Sequence, residues 1–382
     1  MHDARSQATP LTNYEWKGMH SRASLADGHA YHDIPKHMLE VIEKLPQIWD
    51  EATGIRVPEA QSRFREAWEH FTCETLALGA EMWICPTASN SIDLVAAILA
   101  GRAMRTGLLE PTFDNLALLF RRRGAALTPI PEADLSNGSL DGYLDGIDAI
   151  FVVDPNNPTG SQLDGTQWEQ IIRLCADHNK TLIVDRTFRF FSTAEPKLSE
   201  LLAQYDVPFM IIEDTGKTWP TLDLKMSPVI CSQHYTDVMS QLYQEMYLCA
   251  SPFAMLFFHY ILSSAPPYSE HFDSLQALLL RRRDMLRAAI AESGLRTAQE
   301  GENSCLPIEW LDCSAMGDDD SRIVEALNAR GVHLLPGYPF FWSQSPLMAP
   351  RNRLRVSLLK KEADFQLGVS ILKSALASYP QT

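Results

Sequence analysis

The sequence predicts an α/β protein built on a mostly parallel sheet, and three observations predict it. Short, fully apolar runs alternate with amphipathic helical runs; three of the apolar runs end in polar side chains; and the rhythm changes after about residue 270. Strands that are apolar on both faces are those covered by helices on both sides, which is how parallel sheets are buried. The change of rhythm predicts a second, smaller α+β domain.

Residues 1–36 are polar and broken by Pro10, Gly18, Gly28 and Pro35, and are expected to form an irregular N-terminal arm. A helix is expected over 37–51, with Met38, Leu39, Ile42 and Leu45 on one face and Pro46 as a kink or early stop. A second helix is expected over 59–78. Strands follow at 82–85, 107–109, 149–153, 181–184 and 209–212, with helices at 91–106 and 167–179 between them. A long helix at 274–293 and a late strand at 354–357 belong to the tail. The expected domains are the arm (1–36), a large domain (37–270, whose first helix could join the small one) and a small C-terminal domain (271–382).

The formal net charge of -15 disfavours nucleic acid and anionic membranes as partners. Seven scattered cysteines without a CxxC pair fit reduced thiols in a cytoplasmic protein. The first residues lack an apolar signal-peptide core, and no apolar run reaches the ~20 residues that span a bilayer.

Sites on open parallel sheets lie at the carboxyl ends of strands. Here one strand runs into Asp154-Pro155-Asn156-Asn157-Pro158-Thr159-Gly160, the next into Asp185, and a third into Asp214-Thr215-Gly216-Lys217. Asn157, Asp185 and Lys217 follow at intervals of 28 and 32 residues, each about one strand-helix-strand unit. Alone, each element is an ordinary turn, cap or loop lysine. Together and in this order they resemble the fold-type-I pyridoxal-phosphate (PLP) family, with its NPxNPTG-like turn, aspartate and Schiff-base lysine.

That resemblance implies a PLP-dependent transferase fold of type I, with a mostly parallel seven-stranded sheet in the large domain, and a homodimer. It implies that Lys217 carries the cofactor, because the PLP aldehyde condenses with an amine. Asp185 would keep the pyridine nitrogen protonated, Asn157 would donate to the ring oxygen, and Phe113 would stack on the ring. Ser89 and Asn90, at the start of a helix, would hold the phosphate. The usual arginine eight residues beyond the lysine is Lys225 here, which can still neutralise phosphate, and the usual first serine of Ser-x-Ser-Lys is Asp214. Arg355, in Arg353-Leu354-Arg355-Val356-Ser357, would grip the substrate α-carboxylate, with Arg353 as the fallback.

A narrower resemblance rests on three separated stretches: Asn13-Tyr14-Glu15-Trp16 with Ala26-Asp27-Gly28-His29-Ala30, Pro111-Thr112-Phe113-Asp114-Asn115, and 211–225 around Lys217. These are similar to the oxygen-dependent PLP arginine oxidases, hydroxylases and desaturases, of natural-product pathways. The resemblance implies L-arginine and O₂ as substrates and an arm that folds over bound arginine. Glu15, Asp27 and Asp214 would face the guanidinium, Thr12 would add a neutral contact, and His29 would act on the side chain by moving a proton or positioning water. A rival role for His29 and His32, with Asp27 and Asp33, as metal ligands has no further cluster behind it, and no metal is expected. Hydroxylase, desaturase and simple oxidase outcomes stay open. A conventional aminotransferase for a basic amino acid is the main alternative. A PLP-binding regulator is disfavoured, since the 36 residues before the first long helix are too few for a DNA-binding domain.

Overall fold

The computed structural model describes residues 9–21, 23–192, 197–266, 268–344 and 350–379. The chain opens with helices α1 (Leu11–Met19), α2 (Lys36–Glu43), α3 (Leu45–Gly54) and α4 (Val57–Thr72). The alternating part follows as β1 (Glu81–Cys85), α5 (Ala88–Gly101), β2 (Thr106–Glu110), α6 (Asp114–Arg122), β3 (Leu127–Pro131), α7 (Glu132–Ser136), β4 (Ala149–Val153), α8 (Gly165–Asp177), β5 (Thr181–Asp185), α9 (Leu198–Leu202), β6 (Phe209–Ile212) and β7 (Ser227–Cys231). Helices α10 (Thr236–Met246), α11 (Pro252–Ser264) and α12 (Tyr268–Ile290) lead to β8 (Arg296–Thr297), β9 (Ile308–Asp312), α13 (Asp320–Ala329), β10 (Leu335–Pro336), β11 (Arg353–Ser357) and α14 (Glu362–Ala377).

Strands β1 to β7 form one sheet in the order β1-β7-β6-β5-β4-β2-β3, parallel except where β7 pairs with β1 and β6. Every residue of β2, β4, β5, β6 and β7 is buried, which is why β4, β5 and β6 read as apolar runs. Between β4 and β5, helix α8 starts at a capping box in which Asp164 and Gln167 satisfy each other's backbone N–H groups. A second, antiparallel sheet has the order β10-β11-β9-β8.

Three sequence expectations need correction. The arm is not irregular: α1 forms because Leu11 is fully buried and its N–H donates to Asp114 Oδ2 at 3.0 Å, a tertiary anchor that its own pattern does not announce. The helix expected over 37–51 is two helices, since Pro46 lies in the first turn of α3, where its missing N–H costs nothing. The helix expected over 59–78 ends at Thr72, where Cys73 turns left-handed at φ 51°.

Among the described residues there are two hydrophobic cores. The larger surrounds the seven-stranded sheet and includes Met38 and Val41 of α2. The smaller joins the four-stranded sheet to α12 and α14, and takes in Leu11, Leu25, Ala26 and Ala30 of the arm. Backbone bonds stitch the arm down: Leu25 N–H to His333 O (2.8 Å), Ser357 N–H to Leu25 O (2.8 Å) and Tyr31 N–H to Leu359 O (3.0 Å). Ala30 N–H reaches Gly216 O at 3.3 Å, beside Lys217.

Candidate active site

Because β4, β5 and β6 are parallel neighbours in register, Val153, Asp185 and Ile212 lie side by side. The loops that follow therefore leave the sheet at one place. The turn after β4 closes on itself, with Gly160 N–H bonding to Asn156 O at 2.7 Å. Gly160 has φ +75°, and a Cβ there would lie 2.9 Å from Ser304 Cα, so only glycine fits. Asn156 is drawn away to Pro111 O and Glu132, whereas Asn157 lines a cavity of about 260 Å³.

That cavity collects residues far apart in sequence. Thr12, Glu15 and His29 come from the arm, Ser89 from the first turn of α5, Phe113 from the end of β2, and Asn157, Asp185 and Lys217 from the sheet. Arg355 comes from β11, and Arg353, two residues earlier, is held instead by Glu300 and Asp312.

The charges are arranged for a polar guest. Asp185 Oδ1 accepts from the backbone N–H of Thr187 (2.9 Å) and from its hydroxyl, while among the described residues Oδ2 has no partner. Burial drives its pKa up, with Thr187 and Lys217 opposing. Lys217 makes no hydrogen bond or ion pair among the described residues, and burial lowers its pKa towards a neutral, nucleophilic amine. Asp214 lies behind it, buried, with Oδ1 unpartnered, and burial raises its carboxyl to about 6. Arg355 is fully buried and donates to Ala26 O, to Asn157 Oδ1 (3.4 Å) and to Glu15 Oε1 (3.3 Å).

An acid lacking a cationic partner, a free lysine amine and a helix start, all on one cavity, fit PLP. Asp185 would hold the proton of the ring nitrogen, Lys217 would meet the aldehyde, and the N-terminus of α5, where Ala88 and Ser89 line the cavity, would hold the phosphate.

Some expected site residues lie elsewhere. Asp27 does not face the cavity: it is buried against the Lys360 ammonium and accepts from His29 N–H at 3.3 Å, so its charge is neutralised within the protein. Burial raises the Asp27 pKa, but the adjacent ammonium outweighs burial and holds the carboxyl below its usual range. Burial also lowers the Lys360 ammonium; the direct contact between two buried side chains carries the ion-pair reading. The Asn90 side chain is taken up by helix capping, its N–H and Oδ1 both bonded to Thr87 Oγ1 (3.2 and 2.7 Å). Lys225 packs against Gly216, where a Cβ would meet its Cδ at 2.7 Å, and pairs with Asp223 at 3.3 Å. Asp214 is not on the cavity wall.

Sequence reading missed Thr187, Lys360 and Asp223. Thr187 had a local signal, a hydroxyl two residues after an aspartate at a strand end. Lys360 and Asp223 had none, since their partners are 333 and 194 positions away in the chain. Among the described residues no group of three or more His, Cys, Asp or Glu side chains is placed to hold a metal ion, and no helix is long and apolar enough to cross a membrane.

Comparison with known proteins agrees with this geometry. The family model "Aminotransferase class I and II" matches residues 28–369. The chain superposes on a solved structure described as MppP soaked with the product 2-ketoarginine, with a TM-score of 0.83 and 26% identity, covering 93% of this chain and 100% of that one. It also matches the fold of Thermus thermophilus aspartate aminotransferase with maleate (TM-score 0.78, 15% identity, 97% of each chain). Among curated proteins, the aromatic aminotransferase ISS1 of Arabidopsis thaliana is 22% identical over 82% of this chain and 81% of its own. The aspartate aminotransferase of Sulfurisphaera tokodaii is 23% identical over 77% and 74% respectively. The chain belongs to the aminotransferase class I and II family, has its fold-type-I architecture, and takes PLP as its cofactor.

Proposed function

We propose that this member of the aminotransferase class I and II family oxidises L-arginine with O₂. One observation carries the reading: the arm brings Thr12, Glu15 and His29 into the same cavity as Lys217 and Arg355. A transaminase needs a lysine and a carboxylate clamp. An acid and an imidazole laid over them by a separate segment suit a long, cationic side chain. The likeness to a structure soaked with 2-ketoarginine supports the same substrate.

Bound PLP supplies the electron sink that makes the substrate Cα–H acidic. Lys217 Nζ would take that proton. Asp185 Oδ2 would hold the proton of the ring nitrogen, Asn157 would donate to the ring oxygen and Phe113 would pack against the ring. Ser89 and the start of α5 would hold the phosphate, with Lys225 as a nearby positive charge. Arg355 binds the α-carboxylate, and Glu15, with the Asp214 charge behind Lys217, balances the guanidinium. The arm, bonded to both β11 and the lysine loop, excludes water from these groups.

The overall reaction balances without a further cofactor. Arginine, one O₂ and one water give 2-oxoarginine, ammonia and one hydrogen peroxide. A second O₂ and a second water give 4-hydroxy-2-oxoarginine and a second peroxide. Arginine and one O₂, with loss of a side-chain proton and no water addition, give a dehydroarginine and one hydrogen peroxide. A homodimer is part of the same proposal.

The test mixes PLP-loaded protein with L-arginine in air, without a 2-oxo acid, and follows dissolved oxygen and product masses. Sustained oxygen uptake with peroxide supports the proposal. Turnover that appears only on adding a 2-oxo acid overturns it in favour of an ordinary aminotransferase.

A further inference from the structure

We infer that Asp223 is a positioning residue for His29: it fixes the imidazole in the tautomer whose Nε2 lone pair faces the cavity. The inference rests on the proposed oxidase reading only for what that nitrogen then does.

The argument starts from three distances. His29 Nδ1 lies 3.0 Å from Asp223 Oδ1 and 3.1 Å from Tyr31 Oη. Tyr31 in turn donates its hydroxyl to Asp223 Oδ2 at 2.7 Å. That proton is committed, so towards His29 the phenol oxygen can only accept. A carboxylate also only accepts. Both neighbours of Nδ1 therefore require a hydrogen on it. In neutral imidazole the other nitrogen must then be the acceptor, and His29 lines the cavity.

The surroundings favour the neutral imidazole. The groups facing His29 are Lys217, Lys225, Asp223, Asp27 and the Tyr31 hydroxyl. Burial, followed by nearby lysine charge, lowers its pKa, against the hydrogen bond it donates to Asp223 and the Asp27 charge. A neutral ring with a fixed lone pair can take a proton from the substrate side chain or from a water adding to it.

The backbone supports a functional placement for Asp223. It has φ +65°, and Leu222 before it has φ +54°. Leu222 in the left-handed region is strained, whereas aspartate tolerates it, and such strain gathers where a side chain must be aimed. Here the loop between Lys217 and Lys225 bends so that its carboxylate reaches the arm. Lys225 Nζ closes the cluster at 3.3 Å from Asp223 Oδ1.

The experiment reads the tautomer directly. Holoenzyme is labelled with ¹⁵N-histidine, and the His29 signals are assigned by their loss in His29→Gln. Wild type is expected to show a protonated Nδ1 and a bare Nε2. Asp223→Asn is expected to show a mixture or the opposite tautomer. Tyr31→Phe, which removes one hydroxyl and keeps the carboxylate, is expected to stay mostly in the wild-type form and guards against a folding defect in Asp223→Asn. In arginine turnover, Asp223→Asn is expected to lower kcat about 10²-fold with a small change in KM. The double variant with His29→Gln is expected to be no slower than His29→Gln alone. An unchanged tautomer in Asp223→Asn, or effects that multiply in the double variant, would overturn the assignment. If wild type takes up no oxygen, the oxidase reading fails while the tautomer measurement still decides the role of Asp223.

Discussion

The Asp27–Lys360 ion pair predicts what holds the arm over the cavity. Both side chains are buried, Asp27 just before His29 in the arm and Lys360 just after β11. Removing one partner leaves an uncompensated buried charge, a loss of about 3–5 kcal/mol, whereas removing both forfeits much less. The arm is local structure, so the loss should appear as local opening. At 1.36 kcal/mol per tenfold, amide protection should fall by about two to three and a half orders of magnitude. The assay is native-state hydrogen exchange of Leu25 and Tyr31, whose amides bond to His333 and Leu359. Asp27→Asn should lose that protection, while amides in β4 and β5 should keep theirs. Asp27→Asn with Lys360→Met should recover most of it. The Asp27 carboxyl sits below its usual range, so its contribution is complete above the ordinary carboxyl pKa of about 3.9 and is lost on acidification below it. Unchanged protection in Asp27→Asn, or a double variant as labile as the two singles combined, would refute the ion pair as the anchor.

Three further outcomes are expected. Asp185→Asn should keep the fold and lower kcat for arginine by about 10²–10³-fold, measured by oxygen uptake with the cofactor present, since a neutral amide does not hold the ring-nitrogen proton. The Asp214 carboxyl is charged only above about 6, so kcat/KM for arginine should fall as pH drops through that value; in Asp214→Asn that inflection should vanish from the pH profile. Glu15→Gln should lower kcat/KM for arginine by about 10–150-fold, the worth of a charge-assisted hydrogen bond of ~1.5–3 kcal/mol, and should affect an amino acid with an uncharged side chain far less.

The sheet and its three polar strand ends were legible because they depend on short-range rules. An unbroken apolar run means a strand buried on both faces, and in a parallel sheet the residue at its carboxyl end faces the site. Those rules place Asn157, Asp185 and Lys217 at strand ends, and their roles come only from the order that resembles the PLP family. The arm was harder. Nothing periodic marks 11–19 as a helix, because the helix exists through Leu11 in the small core and Asp114 on its N–H. The family resemblance places Asp27 against the substrate, and its partner, Lys360, arrives only when β11 packs beside the arm. Likewise the pairing of Lys225 with Asp223 depends on the left-handed turn at 222 and 223, which leucine disfavours.

These differences share a cause, and it bears on how the site works. The strand ends of the large sheet hold Asn157, Asp185 and Lys217, which on the proposed reading would serve any amino-acid substrate. On the same reading specificity would be carried by the arm, whose described anchors include Asp114 on α6, His333 before β10, Leu359 and Lys360 after β11, and Gly216 beside the lysine. Glu15 spans the two sets. Its carboxylate now lies 3.3 Å from Arg355 Nη2, on the guanidinium assigned to the substrate carboxylate. On the proposed reading an incoming α-carboxylate would take over Arg355, and Glu15 would be released towards a positive charge further along the substrate. Arginine would supply both charges on one molecule, so the exchange would leave no buried charge alone. An amino acid without a cationic side chain would displace Glu15 and give it nothing in return. The same contact that neutralises Arg355 in the free protein would thus select for a substrate with a carboxylate at one end and a cation at the other.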